Sequence, residues 1–405
     1  MLRLLVVMWL TVGAAADSVT LLAPDGLVRE GAVGISPVDA RIAVVAGILN
    51  VPNAPAKVLV WRTTDGGVTW TRTADLPLQI GGDSFTGHYD PAIAFDATGR
   101  AFLTTVGTTP ARAQTSIVVF RSNDGGATWT GVYARPINDM TQDKPWIAAA
   151  NGTVHLIWAE FRFGGGGAIL YARSSDSGST WTAPAEITAS VGWPIVAASP
   201  NGPVTASYAN ATTSAYDVRT SIDGGATFGG AVRAGTYGGC VSSLPDVGMQ
   251  QLAADSGHLY AVFCGTNANG KGVLFTRSTD GGANWATPVL VSGNADIALP
   301  AVAVDNRTGD VVVAWIDGRH AAGTKSGRLY ATRSTDGGAT FEAALPLGAA
   351  FSADGFIGDY NQLAAADGLT LATFSDATGH FSVARIGEPR SEPPAKPSRR
   401  RTVRH

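Results

Sequence analysis

Acidic, cationic and phenolic side chains gather at two kinds of position in this chain. One set stands at the head of short apolar strands, in His88-Tyr89-Asp90-Pro91, Gln142-Asp143-Lys144-Pro145 and Gly358-Asp359-Tyr360-Asn361. The other set follows the end of an apolar run: Glu160 and Arg162 after Trp158, and Asp317 and Arg319 after Trp315, with Arg328 beyond them. A ring of such groups around a funnel can bind a polar ligand. A plainer role is also open: Asp90, Asp143 and Asp317 could bond to neighbouring backbone, and Tyr360 could plug a channel. Nothing in the chain suggests a metal or a cofactor. There is no His-Glu-x-x-His, Cys-x-x-Cys, Gly-x-Ser-x-Gly or P-loop pattern. The formal net charge of −3 makes no electrostatic case for nucleic acid.

What must position these residues is a repeat. Six copies of one motif run along the chain, as in Arg-Ser-Asn-Asp124-Gly-Gly-Ala-Thr-Trp129. The aspartates are Asp65, Asp124, Asp176, Asp223, Asp280 and Asp336, spaced 47 to 59 residues apart. Spacing of this size signals a propeller, solenoid or array. The motif is a tight turn. Its carboxylate accepts hydrogen bonds from its own loop, and its glycines adopt φ > 0. The following Trp or Phe opens the next strand. A residue repeated in every unit serves the unit, so these aspartates are structural. A single carboxylate per loop is also too few ligands for Ca²⁺.

A polar head, an apolar strand, a turn and another apolar strand precede each motif. Val/Ala/Thr/Ile/Trp runs bounded by Gly, Asp, Asn and Pro read as strands throughout. The expected fold is an all-β propeller over residues 17–387, with seven four-stranded blades. A six-blade count stays open. The last three strands have no Asp motif, and Val19–Leu22 can supply their outer strand. Closing the ring with both ends of the chain removes exposed sheet edges. Loops leading into inner strands share a face with loops joining second and third strands. The candidate site belongs on that face, and the Asp turns lie opposite.

The first 16 residues read as an export signal: Arg3, an apolar run from Leu4 to Val12, then Ala14-Ala15-Ala16 before a cleavage point near Asp17. The protein is therefore expected outside the cytoplasm, secreted or periplasmic, with no membrane span after cleavage. Residues 388–405 form a Pro- and Arg-rich tail that composition marks as disordered. Cys240 and Cys264 would lie on one face and are expected to form a disulfide.

The repeated aspartate motif resembles the Asp-box of the BNR-repeat superfamily, whose best-known enzymes are sialidases. The resemblance covers nearly all of residues 17–387. It implies a propeller that acts on or binds a glycan or glycoprotein, with a protein partner as a further option and a monomer as the expected state. In sialidases three arginines hold the substrate carboxylate, and a Tyr activated by a Glu is the nucleophile. Tyr360-Asn-Gln-Leu363 is similar to the family's Tyr-bearing strand, and Arg328 to an upstream Arg. The resemblance then implies Tyr360 as nucleophile and Asp90 or Asp143 as acid/base. Glu160 is a candidate for the activating carboxylate, and Arg328, Arg319 and Arg162 for anion or sugar binding, beside Lys144, Asp317 and Asp359. The family's Arg-Ile-Pro element is missing; Glu30-Gly-Ala-Val stands in that region. Its Glu strand and following Arg fall near Gln250-Gln251 and Cys264-Gly265, with neither residue present. A non-catalytic propeller binding glycan or protein through the same face is the competing expectation.

Overall fold

The computed structural model describes residues 17–110, 115–138, 140–162, 165–189, 192–210, 212–238, 250–319 and 324–389. The expected signal, nearly all of the basic tail and Cys240 lie outside these residues. Seven antiparallel four-stranded sheets form the blades of one propeller. Their inner strands are Val28–Ile35, Gly87–Phe95, Thr141–Ala150, Ile195–Ala198, Gln251–Ala254, Ile297–Val304 and Leu363–Ala366. The seventh blade takes three strands from the end of the propeller and its outer strand, Ser18–Ala23, from the start. That strand pairs antiparallel with Phe381–Gly387, Ser18 opposite Arg385.

The sequence forms blades because its short strands cannot bury their apolar faces alone. Second strands are the most apolar, and their side chains fill the spaces between blades. Trp158, Tyr208, Phe263 and Trp315 are all nearly inaccessible there. In the narrow channel Gln362 replaces missing sheet partners. Its Oε1 accepts from the backbone N–H groups of Val33 and Ile93, and its Nε2 donates to the Ile93 carbonyl. One side chain thus joins blades seven, one and two.

The six Asp-box turns, five Asp-Gly-Gly and one Asp176-Ser177-Gly178, share one geometry. Asp124 Oδ1 accepts from the N–H groups of Ala127 and Thr128 at 3.0 and 2.9 Å, and its Oδ2 from the Thr128 hydroxyl at 2.6 Å. Its slight burial raises this carboxyl, but the hydrogen bonds from Thr128 and Ser122 outweigh that and hold it down at about 2. The turns also join blades. An arginine before one turn donates to a carbonyl in the turn of the next blade: Arg62 to Gly125, Arg121 to Ser177, Arg173 to Gly224, and Arg277 to Gly337. Arg385 of the seventh blade closes the circle on Gly66. The seventh blade has no such turn for Arg333, which pairs with Asp310 of its own blade instead. A cavity of about 240 Å³ lies at that seam.

Candidate functional site

Four inner strands carry the same irregularity near their heads. Glu30, Asp90, Lys144 and Leu299 have φ of 55°, 50°, 46° and 53°. Each sits where the strand gains one residue on its neighbour, at breaks in register after Arg29, Tyr89, Asp143 and Ala298. These are β-bulges, which re-aim a side chain that a regular strand would direct elsewhere. The next residue is Gly31, Pro91, Pro145 or Pro300. Proline suits a place where no ladder hydrogen bond is made, because it has no N–H. Left-handed backbone at a non-glycine residue costs on the order of 1–3 kcal/mol and persists only where its surroundings fix it.

The bulges bring charged groups from separate blades together at the channel mouth. The Lys144 ammonium lies 2.9 Å from Asp90, 2.8 Å from Asp359 and 3.3 Å from Glu30. Asp90 is hydrogen-bonded to both Glu30 and Asp143. Asp143 also accepts from the backbone N–H of Lys144 at 2.9 Å. Lys144 lies over the rings of Tyr360 and Trp193, 5.4 and 5.9 Å from their centroids. Glu30, Asp90 and Lys144 are buried, while Asp143 and Asp359 are partly open to solvent.

Four carboxyls around one ammonium cannot all ionise at equal ease, and their protonation is pushed apart. Burial alone would raise Asp90, but the Lys144 charge and the hydrogen bonds from Glu30 and Asp143 outweigh it and hold Asp90 below its ordinary value. Burial and the Asp90 charge push Asp143 up to about 7. Burial and Asp90 likewise carry Glu30 well above the usual carboxylate range. Burial would strip the proton from Lys144, yet the surrounding carboxylates reverse that and raise it. The cluster therefore offers a carboxylic acid able to give up a proton near neutrality, Asp143, beside the depressed carboxyl of Asp90.

Asp90, Asp143, Lys144, Asp359 and Tyr360 are thus brought together, and Glu30 joins them. Sequence reasoning passed over Glu30. The signal was there: it occupies the place before Gly31 that Asp90 and Lys144 occupy before their prolines. The other expected residues are engaged elsewhere. Glu160 is buried and accepts from Arg135 and Gln142. Asp317 is inaccessible, accepting from Trp315 Nε1 and Arg319. Arg319 also donates to the Ser292 carbonyl and stacks on Tyr330. Arg328 donates to the Gly348 carbonyl, and Arg162 pairs with Glu186 on the surface. These arginines are spent on structure. Cys264 is buried and disulfide-bonded, which leaves no free thiol among the described residues.

Tyr360 does not present its oxygen as an attacking group. It is buried edge-on against Trp146, its hydroxyl donates to the Pro91 carbonyl at 2.8 Å, and burial with the nearby carboxylates raises its pKa well above that of a free phenol. Each of these disfavours the phenolate. Tyr360→Phe is expected to lose about 1 kcal/mol of stability, the size of one hydrogen bond. Denaturant melts of the variant beside the wild type check this; no loss would mean that the bond to the Pro91 carbonyl contributes nothing. His88 is also excluded as a base at low cost, since burial lowers it to about 4 and its ring bonds to Pro77 and Thr105.

No family model matches the chain. Xyloglucanase Xgh74A of Acetivibrio thermocellus is 24% identical over 324 residues, which is 76% of this chain and 32% of that protein. The chain thus spans about a third of the length of that curated relative. Among solved structures, the Hadza microbial sialidase Hz136 aligns with a TM-score of 0.52 at 16% identity, over 89% of this chain and 66% of that one. The GH93 α-L-arabinofuranosidase of Fusarium graminearum, solved with arabinobiose, aligns with a TM-score of 0.52 at 14% identity, over 92% and 98%. The Penicillium chrysogenum α-L-arabinanase, also solved with arabinobiose, aligns at 0.51 and 14% over the same shares. At such identities the likeness is one of fold: the chain shares its propeller with a sialidase, an arabinofuranosidase and an arabinanase.

Proposed function

We propose that this chain is an exported propeller that cleaves glycosidic bonds of neutral glycans at the channel mouth. Asp143 is the proton donor, and Asp359, paired with Lys144 at 2.8 Å, is its partner. One observation carries the reading: the two carboxyls of the cluster open to solvent flank a buried lysine, and one of them, Asp143, is pushed up to about 7 by burial and the Asp90 charge. Two carboxyls with separated protonation states are what glycoside hydrolysis needs. The acid protonates the leaving oxygen, and the carboxylate stabilises the developing positive charge or activates water. Lys144 holds Asp359 in place, and Asp90 keeps the proton on Asp143 by charge repulsion. Neutral glycans are favoured because the arginines that would hold a sugar carboxylate are bound elsewhere, and the cluster itself is net negative. The arabinobiose complexes of similar folds and the xyloglucanase likeness agree with this substrate class. Export is supported by the disulfide at Cys264.

The test is a panel of fluorogenic glycosides: an α-L-arabinofuranoside, a xyloglucan-derived oligosaccharide and a sialoside. Neutral substrates are expected to be cleaved, with activity falling above about pH 7 as Asp143 loses its proton. Asp143→Asn is expected to lower kcat by about 10²–10⁴-fold, the contribution of a positioned general acid. Cleavage of the sialoside alone would sink the neutral-glycan reading. The burial of Glu30, Asp90 and Lys144 favours a second reading, in which the cluster only ties the blades together and the face binds glycan without cleaving it. Binding with no cleavage of any substrate would establish that one.

A further inference from the structure

A cavity of about 390 Å³ opens between the first and second blades, lined by Pro55, Thr86, Tyr89, Thr108 and Pro110. It adjoins the candidate site through the backbone, because Tyr89 is the residue before Asp90 in the same inner strand. The bulge explains the pairing. It turns Asp90 into the cluster around Lys144 and leaves Tyr89, still paired with Val106 in regular register, facing the cavity. We infer that this cavity holds the neighbouring sugar unit of an oligosaccharide whose scissile bond lies at Asp143 and Asp359. The inference rests on the glycan-cleaving reading above.

The chemistry of the described lining suits a neutral sugar. None of its five residues is charged. Two prolines and a tyrosine ring offer flat apolar surface of the kind on which the C–H face of a sugar ring packs. The polar groups are hydroxyls. Thr86 Oγ1 donates to the Thr108 carbonyl at 3.1 Å and lies 3.3 Å from Thr108 Oγ1, so both oxygens keep lone pairs for an incoming hydroxyl. The Tyr89 hydroxyl has no protein partner among the described residues, although the residue is half-buried and packs on the apolar clusters of both adjoining seams. A half-buried phenol held rigid, with its oxygen unpaired, is a preformed hydrogen-bonding platform. The cavity volume falls within the ~300–1,000 Å³ range of small-molecule sites.

The experiment compares kcat/KM on an arabino- or xyloglucan oligosaccharide with kcat/KM on the corresponding aryl monoglycoside. The wild-type ratio is expected to favour the oligosaccharide at least tenfold. Tyr89→Ala is expected to lower that ratio about tenfold through KM. Pro55→Trp changes an exposed residue and fills the cavity without touching the tyrosine, so it should lower the ratio similarly even if Tyr89→Ala folds poorly. A ratio that both folded variants leave intact overturns the inference, as does an equal loss on both substrates. Calorimetric binding of the same oligosaccharide to Asp143→Asn separates the two readings. If no glycoside is cleaved but binding is weakened by Tyr89→Ala and Pro55→Trp, the cleaving function fails and the cavity stands as a sugar site. Cleavage that is indifferent to chain length leaves the function and removes the cavity.

Discussion

Lys144→Met is expected to destabilise the protein by about 3–5 kcal/mol at pH 8, the usual result of removing one partner from a buried ion pair. The lysine neutralises Asp90, Asp359 and Glu30 at 2.8–3.3 Å, and methionine keeps its length without its charge. The loss should shrink as pH falls toward 5. In the variant, the carboxyls have no counter-charge, so they take up protons in the folded state at higher pH than in the unfolded chain. A folded state that binds more protons loses stability as pH rises, and recovers it as pH falls. The wild type already shows this sign in part. Asp143, at about 7, and Glu30, raised above the carboxylate range, oppose folding increasingly as pH rises from about 4 toward 7. Asp90 has the opposite sign. Its carboxyl is depressed, so its contribution is present at neutral pH and lost as pH falls through its folded value. Lys144 is raised above 10.5, so its contribution is complete below that value and fades only above it. Urea melts of both proteins at pH 5 and pH 8 measure the difference. An equal loss at both values would mean that the lysine acts by packing and not by charge.

Gly379→Ala is expected to cost about 3 kcal/mol or more, the sum of left-handed strain and overpacking. Gly379 has φ +83°, and a Cβ there would press on the Leu27 backbone nitrogen, 2.7 Å from Leu27 Cα and 2.8 Å from Val28 N. This contact is the seam where the ring closes. Leu27 N–H donates to the Thr378 carbonyl at 2.9 Å, and Val28 N–H to the Gly379 carbonyl at 3.0 Å. Backbone on backbone cannot yield as a flexible side chain can. Gly152→Ala is the control, because Gly152 has φ +76° with nothing near its added Cβ, and it should cost only the strain, about 1 kcal/mol. Denaturant midpoints of the two variants check the comparison. Equal costs would show that the first and seventh blades can part enough to admit a methyl group without penalty.

The architecture was legible because it is written many times. Asp65, Asp124, Asp176, Asp223, Asp280 and Asp336 mark six turns by local chemistry alone, and each bonds within its own few residues. The closing strand could be read from an unpaired set of three strands and the apolar Val19–Leu22. The site was legible only as a face. Asp90, Asp143, Lys144, Asp359 and Tyr360 could be placed at strand heads, but sequence position does not say which way a head residue points. The bulges at Glu30, Asp90 and Lys144 decide that, and a left-handed residue before glycine or proline becomes readable as a bulge only once the partner strand is seen.

The same limit explains the residues that did not converge. Arg162, Arg319 and Arg328 carry the right charge on the right face, yet each is taken up by a carboxylate or carbonyl that lies near it only in the folded blade. Tyr360 carries the right group at the right strand, and the Pro91 carbonyl, 269 residues away, claims its hydroxyl. Local sequence determined the turns and the strands, because each depends on hydrogen bonds and apolar periodicity within a few dozen residues; it pointed to seven blades closed by both ends of the chain, and the pairing of Ser18–Ala23 with Phe381–Gly387 decided that count over six. Tertiary structure alone decided the charge and proton state of the channel mouth, because those depend on how strands from four blades place four carboxyls around one lysine.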